Sequence, residues 1–267
     1  MKSTSKPLKQ TLDEITSRIV VLPDQAQCQV CGYWDMANTE TSHILLERDP
    51  TGVQLLQAAC RCPANERRKV EEKAQRFAEA NLPTGGRTFE NFNRVRGTEA
   101  ALEKARHFAQ MMGPSTFVLC GETGTGKSHL LEAIGRYVLA QTSLTVRYEV
   151  AADLLERLRH TYADVSSREF DMYELTGWYQ RRHVLLLDDV GVRGGSDWAV
   201  EVLTSLIDER IRNRWRLAVA TNLTRDEMEE KLGARLASRL FQQNEELGQV
   251  ARMTITASDY RLKERKP

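Results

Sequence analysis

An α/β fold built on a central parallel sheet is what the sequence predicts, on three observations. Residues 116–119, 183–187 and 217–220 are apolar almost throughout instead of alternating, the pattern of strands covered on both faces. Segments with helical spacing, 127–141 and 197–212, alternate with those runs, and a further strand is expected at 144–150. The segment Gly121-Glu122-Thr123-Gly124-Thr125-Gly126-Lys127-Ser128 joins the first apolar run to the first of these helices, where an α/β sheet places its phosphate-binding turn.

At 267 residues the chain accommodates one such domain and a smaller appendage, so two units are expected. Its 38 Lys and Arg nearly cancel 37 Asp and Glu, leaving a net charge of +1. No molecule-wide field attracts polyanions, and contact with nucleic acid must come from a local patch. The first thirty residues lack the apolar core of a signal peptide, and no apolar run approaches the length of a membrane span. A soluble, cytoplasmic protein is expected, with no membrane partner.

Residues 1–27 place Leu8, Leu12, Ile15 and Ile19 at helix-face spacing, either as a docking helix or as a stripe packed on its own protein. Four of the five cysteines cluster as Cys28-x-x-Cys31 and Cys60-x-Cys62, two short knuckles able to close a tetrahedral Zn²⁺ site. The alternatives are four reduced thiols, or a site in which His43 replaces one of them. Cys120, on the strand before the glycine-rich loop, reads as a core residue. After Pro63 a charged stretch with Val70, Ala74 and Phe77 on one face reads as a linking helix, and Pro83-Thr84-Gly85-Gly86 is turn chemistry. The boundary falls near residue 84, giving an N-terminal zinc-binding and partner-docking module, 1–83, and an ATPase-type domain, 84–267, entered through an irregular segment.

The glycine-rich loop fits G-x-x-x-x-G-K-[ST]. Its glycines let backbone N–H groups turn inward around phosphates, Lys127 reaches the β- and γ-phosphates, and the Ser128 hydroxyl serves Mg²⁺. ATP with Mg²⁺ is therefore the expected ligand. Asp188 and Asp189 follow the second apolar run, the first suited to the metal and the second to polarising an attacking water, although an acidic pair at a strand end also serves as an ordinary turn. Asn222 ends the third run, to orient that water or to cap a turn. Arg235 and Arg239 lie four apart on one face of a helix and read otherwise as surface arginines.

The series GETGTGKSHL, VLLLDDVG, ATNL, GARLASRL and SDYR, in that order, resembles the DnaC-type replicative helicase loaders and the IstB transposition helper ATPases, both of the AAA+ superfamily. The resemblance covers residues 84–262. It implies that Asn222 is sensor 1, that Arg239 is an arginine finger for a neighbouring subunit with Arg235 as its companion, and that Arg261 is a sensor 2 residue. Walker B is Asp-Asp here where many AAA+ proteins have Asp-Glu, which leaves the strength of hydrolysis open. The resemblance also places an insertion that lines a path for single-stranded DNA at 152–162, with Arg157, Arg159 and His160; Leu154, Leu155 and Leu158 fit plain packing equally well. The implied function is ATP-dependent loading of a replicative hexameric helicase onto single-stranded DNA, with self-assembly in the ATP state. The alternative is an IstB-like helper that assembles on duplex DNA and recruits a transposase. A cysteine-bearing N-terminal module, as in DnaI-type loaders, favours the first.

Overall fold

The structure is a computed structural model that describes residues 19–21, 44–49, 52–57, 63–163, 177, 179, 182–191, 197–241 and 250–257, with side chains described outside 19–66 and 160–163. Two compact units divide the chain, 1–72 and 73–267. In the first, β1 (Ile19–Val21), β2 (Ile44–Asp49) and β3 (Gly52–Gln57) form an antiparallel sheet in that order, with Ile19 opposite Glu47 and Asp49 opposite Gly52. Ile19, expected as the last apolar position of a helix, begins a strand. Ile19-Val20-Val21 is β-branched throughout, and pairing with β2 decides its state. Cys28, Cys31, Cys60, Cys62 and His43 lie outside the described residues.

Helix α1 (Pro63–Glu79) runs across the division between the units. Residues 73–83 belong with the second unit, because Ala80 is buried in its core and Phe77 and Leu82 pack against that core. The irregular segment at 82–98 leads into α2 (Glu99–Ala109), a helix absent from the expectations above. Strands β4 (Thr116–Gly121), β5 (Val146–Val150), β6 (Val184–Asp188), β7 (Arg216–Thr221) and β8 (Val250–Ile255) form one sheet in the order β5-β6-β7-β4-β8, every neighbouring pair parallel. Edge strand β8 escaped the sequence reading because the exposed Arg252 and Thr254 alternate with Ala251, Met253 and Ile255, which pack on the core, and leave no continuous apolar run.

Crossovers α3 (Lys127–Gln141), α4 (Ala151–Ala163) and α5 (Asp197–Arg212) connect the strands, and α6 (Arg225–Leu232) and α7 (Ala234–Phe241) follow β7. Each strand feeds both faces of the sheet, since successive side chains point oppositely. Phe117 and Leu119 join Leu130, Leu131 and Ile134 of α3 on one side, while Val118 and Cys120 join Leu206, Ile207 and Leu240 on the other. Cys120 is thus the core residue expected, its thiol pushed up to about 11 by burial. The parallel order has a consequence for chemistry. It brings the carboxyl ends of β4, β6 and β7, and the residues that follow them, to one edge of the sheet.

Candidate nucleotide-binding site

At that edge the chain leaves β4 at Gly121 (φ +144°) and enters α3 from Gly126 (φ +95°), which caps the helix in the left-handed region. A Cβ at Gly121 would stand 2.5 Å from the Ile255 carbonyl oxygen, and one at Gly126 would stand 3.0 Å from the Phe92 ring. Glycine is required at both for conformation and at Gly121 also for space; at Gly126 the Phe92 ring would have to give by a few tenths of an ångström. Inside the loop, the buried Lys127 ammonium donates to the carbonyl oxygens of Gly121 at 2.8 Å and Glu122 at 2.7 Å, and Thr125 Oγ1 donates to Glu122 O at 2.9 Å. A helix N-terminus, a glycine-rich loop and a compact cation within it make a cradle that fits a polyphosphate.

Thr123 to Ser128 line a cleft of about 530 Å³, together with Asp189 and Asn222. Asp188, the residue before Asp189, is buried at the end of β6 and is not among the residues lining the cleft. Its Oδ1 accepts the N–H of Asp189 at 3.0 Å and its Oδ2 accepts the hydroxyl of Tyr148. Burial, reinforced by that carboxylate, pushes the Tyr148 phenol far above its ordinary value, so it stays a donor. Asp189 takes φ +53°, a left-handed conformation that aspartate tolerates better than most residues with a Cβ. Nearby, Val190 N donates to Ala220 O at 3.0 Å and Thr221 Oγ1 donates to Val190 O at 2.7 Å, tying the turn after β6 to the end of β7, where Asn222 follows. A carboxylate such as that of Asp188 and a hydroxyl such as that of Ser128 are hard oxygen ligands, the chemistry suited to Mg²⁺.

The other wall comes from the segment read as mere entry into the domain. Arg87, Asn91, Phe92, Val95 and Thr98 line the cleft, joined by His129 and Ala257. His129 sits two residues past Lys127. Its Nε2 donates to Thr88 O at 2.9 Å and Asn91 Oδ1 at 3.1 Å, and its ring meets Phe92 edge-on at 5.0 Å. The sequence signal for this wall was slight: Phe89 and Phe92 in a glycine-rich stretch, with no periodicity to mark them.

Arg235 and Arg239, on α7, are not among the residues lining this cleft. Both hold Asp208 of α5: Arg235 donates to Oδ2 at 2.9 Å and Arg239 to Oδ1 at 2.8 Å. Arg261 lies outside the described residues, as does the side chain of His160. On α4, Arg157 pairs with the buried Glu149, which also takes Arg147 Nε at 2.5 Å and the Tyr179 hydroxyl at 3.1 Å, and Arg159 lies 5.5 Å from the Trp198 ring centre. Leu154 and Leu158 are buried against the sheet, so packing accounts for the apolar face of α4. Among the described residues no helix is long and apolar enough to cross a membrane.

Sheet order, phosphate loop and strand-end carboxylates define a P-loop nucleotide-binding protein of the AAA+ kind. A family model for IstB-like ATP binding proteins matches residues 62–267, and the chain belongs to that family. It is 27% identical over 201 residues to the replicative helicase loader DnaC of Escherichia coli K12, covering 71% of this chain and 80% of that protein. It is 32% identical over 146 residues to the uncharacterized protein YdaV of the same strain, covering 54% of this chain and 57% of YdaV. A crystal structure of the DnaC helicase loader shares the fold, with TM-score 0.54, 21% identity, and coverage of 64% of this chain and 97% of that one.

Proposed function

We propose that this chain is an ATPase that loads a replicative hexameric helicase onto single-stranded DNA, its ATP state controlling self-assembly and release of the helicase. The observation that carries the reading is the similarity to DnaC across 71% of this chain and 80% of the loader. In this reading residues 121–128 cradle the phosphates, with Lys127 between the β- and γ-phosphates, and Ser128 and Asp188 hold Mg²⁺. The metal, when bound with ATP, supplies neutralising charge at the phosphate oxygens. Asp189 polarises the attacking water, and Asn222 and Arg261 read the γ-phosphate. Arg239, steadied with Arg235 by Asp208, reaches the cleft of a neighbouring copy; that it does not line its own cleft supports that role. Cys28, Cys31, Cys60 and Cys62 hold a structural Zn²⁺, with His43 the alternative fourth ligand. The N-terminal module docks the client.

The match to the IstB-like family model favours a second reading, a transposition helper that assembles on duplex DNA and recruits a transposase. One set of measurements separates the two: ATP turnover with single-stranded against duplex DNA, and co-elution with a hexameric replicative helicase. The loader reading expects stimulation by single strands and a stable helicase complex. ATP-dependent assembly confined to duplex DNA, with no helicase complex, would replace it with the second.

A further inference from the structure

We propose that Tyr148 is a positioning residue for the metal carboxylate, its phenol hydroxyl setting the orientation in which Asp188 meets Mg²⁺. The proposal rests on the reading of Asp188 as a Mg²⁺ ligand.

Strands β5 and β6 are parallel neighbours, with Tyr148 opposite Leu186 and Val150 opposite Asp188. Residues two apart on a strand share a face, so Tyr148, Leu186 and Asp188 look to the same side of the sheet, the side covered by α3. From there the Tyr148 hydroxyl reaches two places along the neighbouring strand to Oδ2 of Asp188. The ring below it is 5% exposed and packed in the core, so the hydroxyl has little freedom of its own.

The backbone of Tyr148 is fixed as well. Its N–H donates to Ala80 O at 2.8 Å, and its carbonyl oxygen accepts Asn81 Nδ2 at 3.0 Å. Strand β5 is therefore braced along its outer edge by the chain leaving α1. Asp188, by contrast, has a short side chain whose carboxylate turns about one terminal bond. Among the described residues, one oxygen accepts the N–H of the next residue, at 3.0 Å, and the other accepts the hydroxyl of Tyr148, a donor from a separate element. Each carboxylate oxygen keeps a lone pair for a cation while a donor on the protein side fixes its direction. Partners of this kind orient a ligand before the metal arrives, and losing one typically costs about 10–100-fold in metal affinity or activity. Nothing in the motif pattern at 121–128 or 188–189 points to residue 148. The relationship exists only across the β5–β6 pair.

Phenylalanine keeps the ring and removes only the O–H, so Tyr148→Phe isolates the contact. The measurement uses the full chain and a fluorescent ATP analogue, titrated first in EDTA and then with Mg²⁺ at fixed nucleotide, with Asp188→Asn in parallel. Tyr148→Phe is expected to raise the half-saturating Mg²⁺ about 10-fold while nucleotide affinity in EDTA stays as in the wild type. A Tyr148→Phe protein with wild-type Mg²⁺ dependence, beside an Asp188→Asn protein whose dependence has shifted, overturns the role of Tyr148 and leaves that of Asp188 standing. Wild-type Mg²⁺ dependence in both variants overturns the Asp188 reading, and the proposal with it. Equal losses for Tyr148→Phe in EDTA and in Mg²⁺ mean that the hydroxyl supports packing alone, which also overturns the proposal.

Discussion

Arg239 donates from Nε to Oδ1 of Asp208 at 2.8 Å, and the carboxylate that holds it is buried on α5 while the arginine itself remains 44% exposed. Arg235 takes the other oxygen, its guanidinium approaching to 2.6 Å. One buried carboxylate thus orients two guanidinium groups on the outward side of α7. An arginine finger stabilises charge on the transferring phosphoryl group and contributes much less to ground-state binding. Arg239→Ala is expected to bind ATP and to hydrolyse it about 10³-fold more slowly. Lys127→Ala is expected to lose productive binding, because Lys127 is the compact charge inside the loop. Mixing the two proteins forms a composite site with the loop of one and the finger of the other, so partial recovery of turnover is the result that checks a finger acting in trans.

Asp189 is held at φ +53°, and asparagine adopts that conformation as readily as aspartate. Asp189→Asn should therefore keep the wild-type thermal midpoint and ATP affinity. Its turnover should fall by about 10²-fold or more, since the amide cannot take a proton from water. Single-turnover hydrolysis beside a thermal melt checks both halves.

Burial holds the His129 imidazole below its ordinary 6.5, against the hydrogen bond to Thr88 that favours the charged form; Arg87 adds to the lowering and Glu132 opposes it. Between the folded value and 6.5 the unfolded chain binds more protons than the folded one. Stability is thus lost as pH falls below about 6.5 and is regained on return. Replacing the imidazole by a group that does not titrate, His129→Gln, should flatten this slope. Thermal midpoints between about pH 5 and 7.5 read it out, the wild type falling more steeply than the variant towards acid.

Arg210 is fully buried on α5 and spans the starts of two strands. It donates to the carbonyl oxygens of Tyr179 and Arg182 at 2.9 Å and of Arg216 at 2.8 Å, while burial brings its own pKa down to about 10. Arg210→Met fills much of the volume but strands those carbonyls. A loss of about 3 kcal/mol is expected, read as a lower urea midpoint with an unchanged slope.

With four cysteines proposed as ligands, the purified protein should carry about one Zn²⁺ per chain. Chelation is expected to unfold the region of residues 28–62 and to leave ATP binding largely intact, because the second unit has its own core. Elemental analysis of untagged protein, followed by nucleotide titration after chelation, checks this.

The sequence by itself determined what is local. The loop 121–128 and the helices Lys127–Gln141 and Asp197–Arg212 were legible, because glycine placement, charge and 3.6-residue spacing are properties of adjacent positions. Apolar runs likewise announced β4, β6 and β7 and the acids beside them. What lay beyond reach depends on partners distant in the chain. Only the tertiary structure turned residues 87–98 from an irregular entry into a wall of the cleft, since His129 and the glycine loop hold that wall from some forty positions away. Strand pairing made a strand of the β-branched Ile19–Val21 and added the half-polar edge strand β8. The packing of α7 on α5 gave Arg235 and Arg239 a shared carboxylate in Asp208, and the β5–β6 register put Tyr148 against Asp188. A hydrogen bond between side chains about thirty or forty residues apart leaves no period and no motif behind; it forms because the backbone has already brought the two groups to one place.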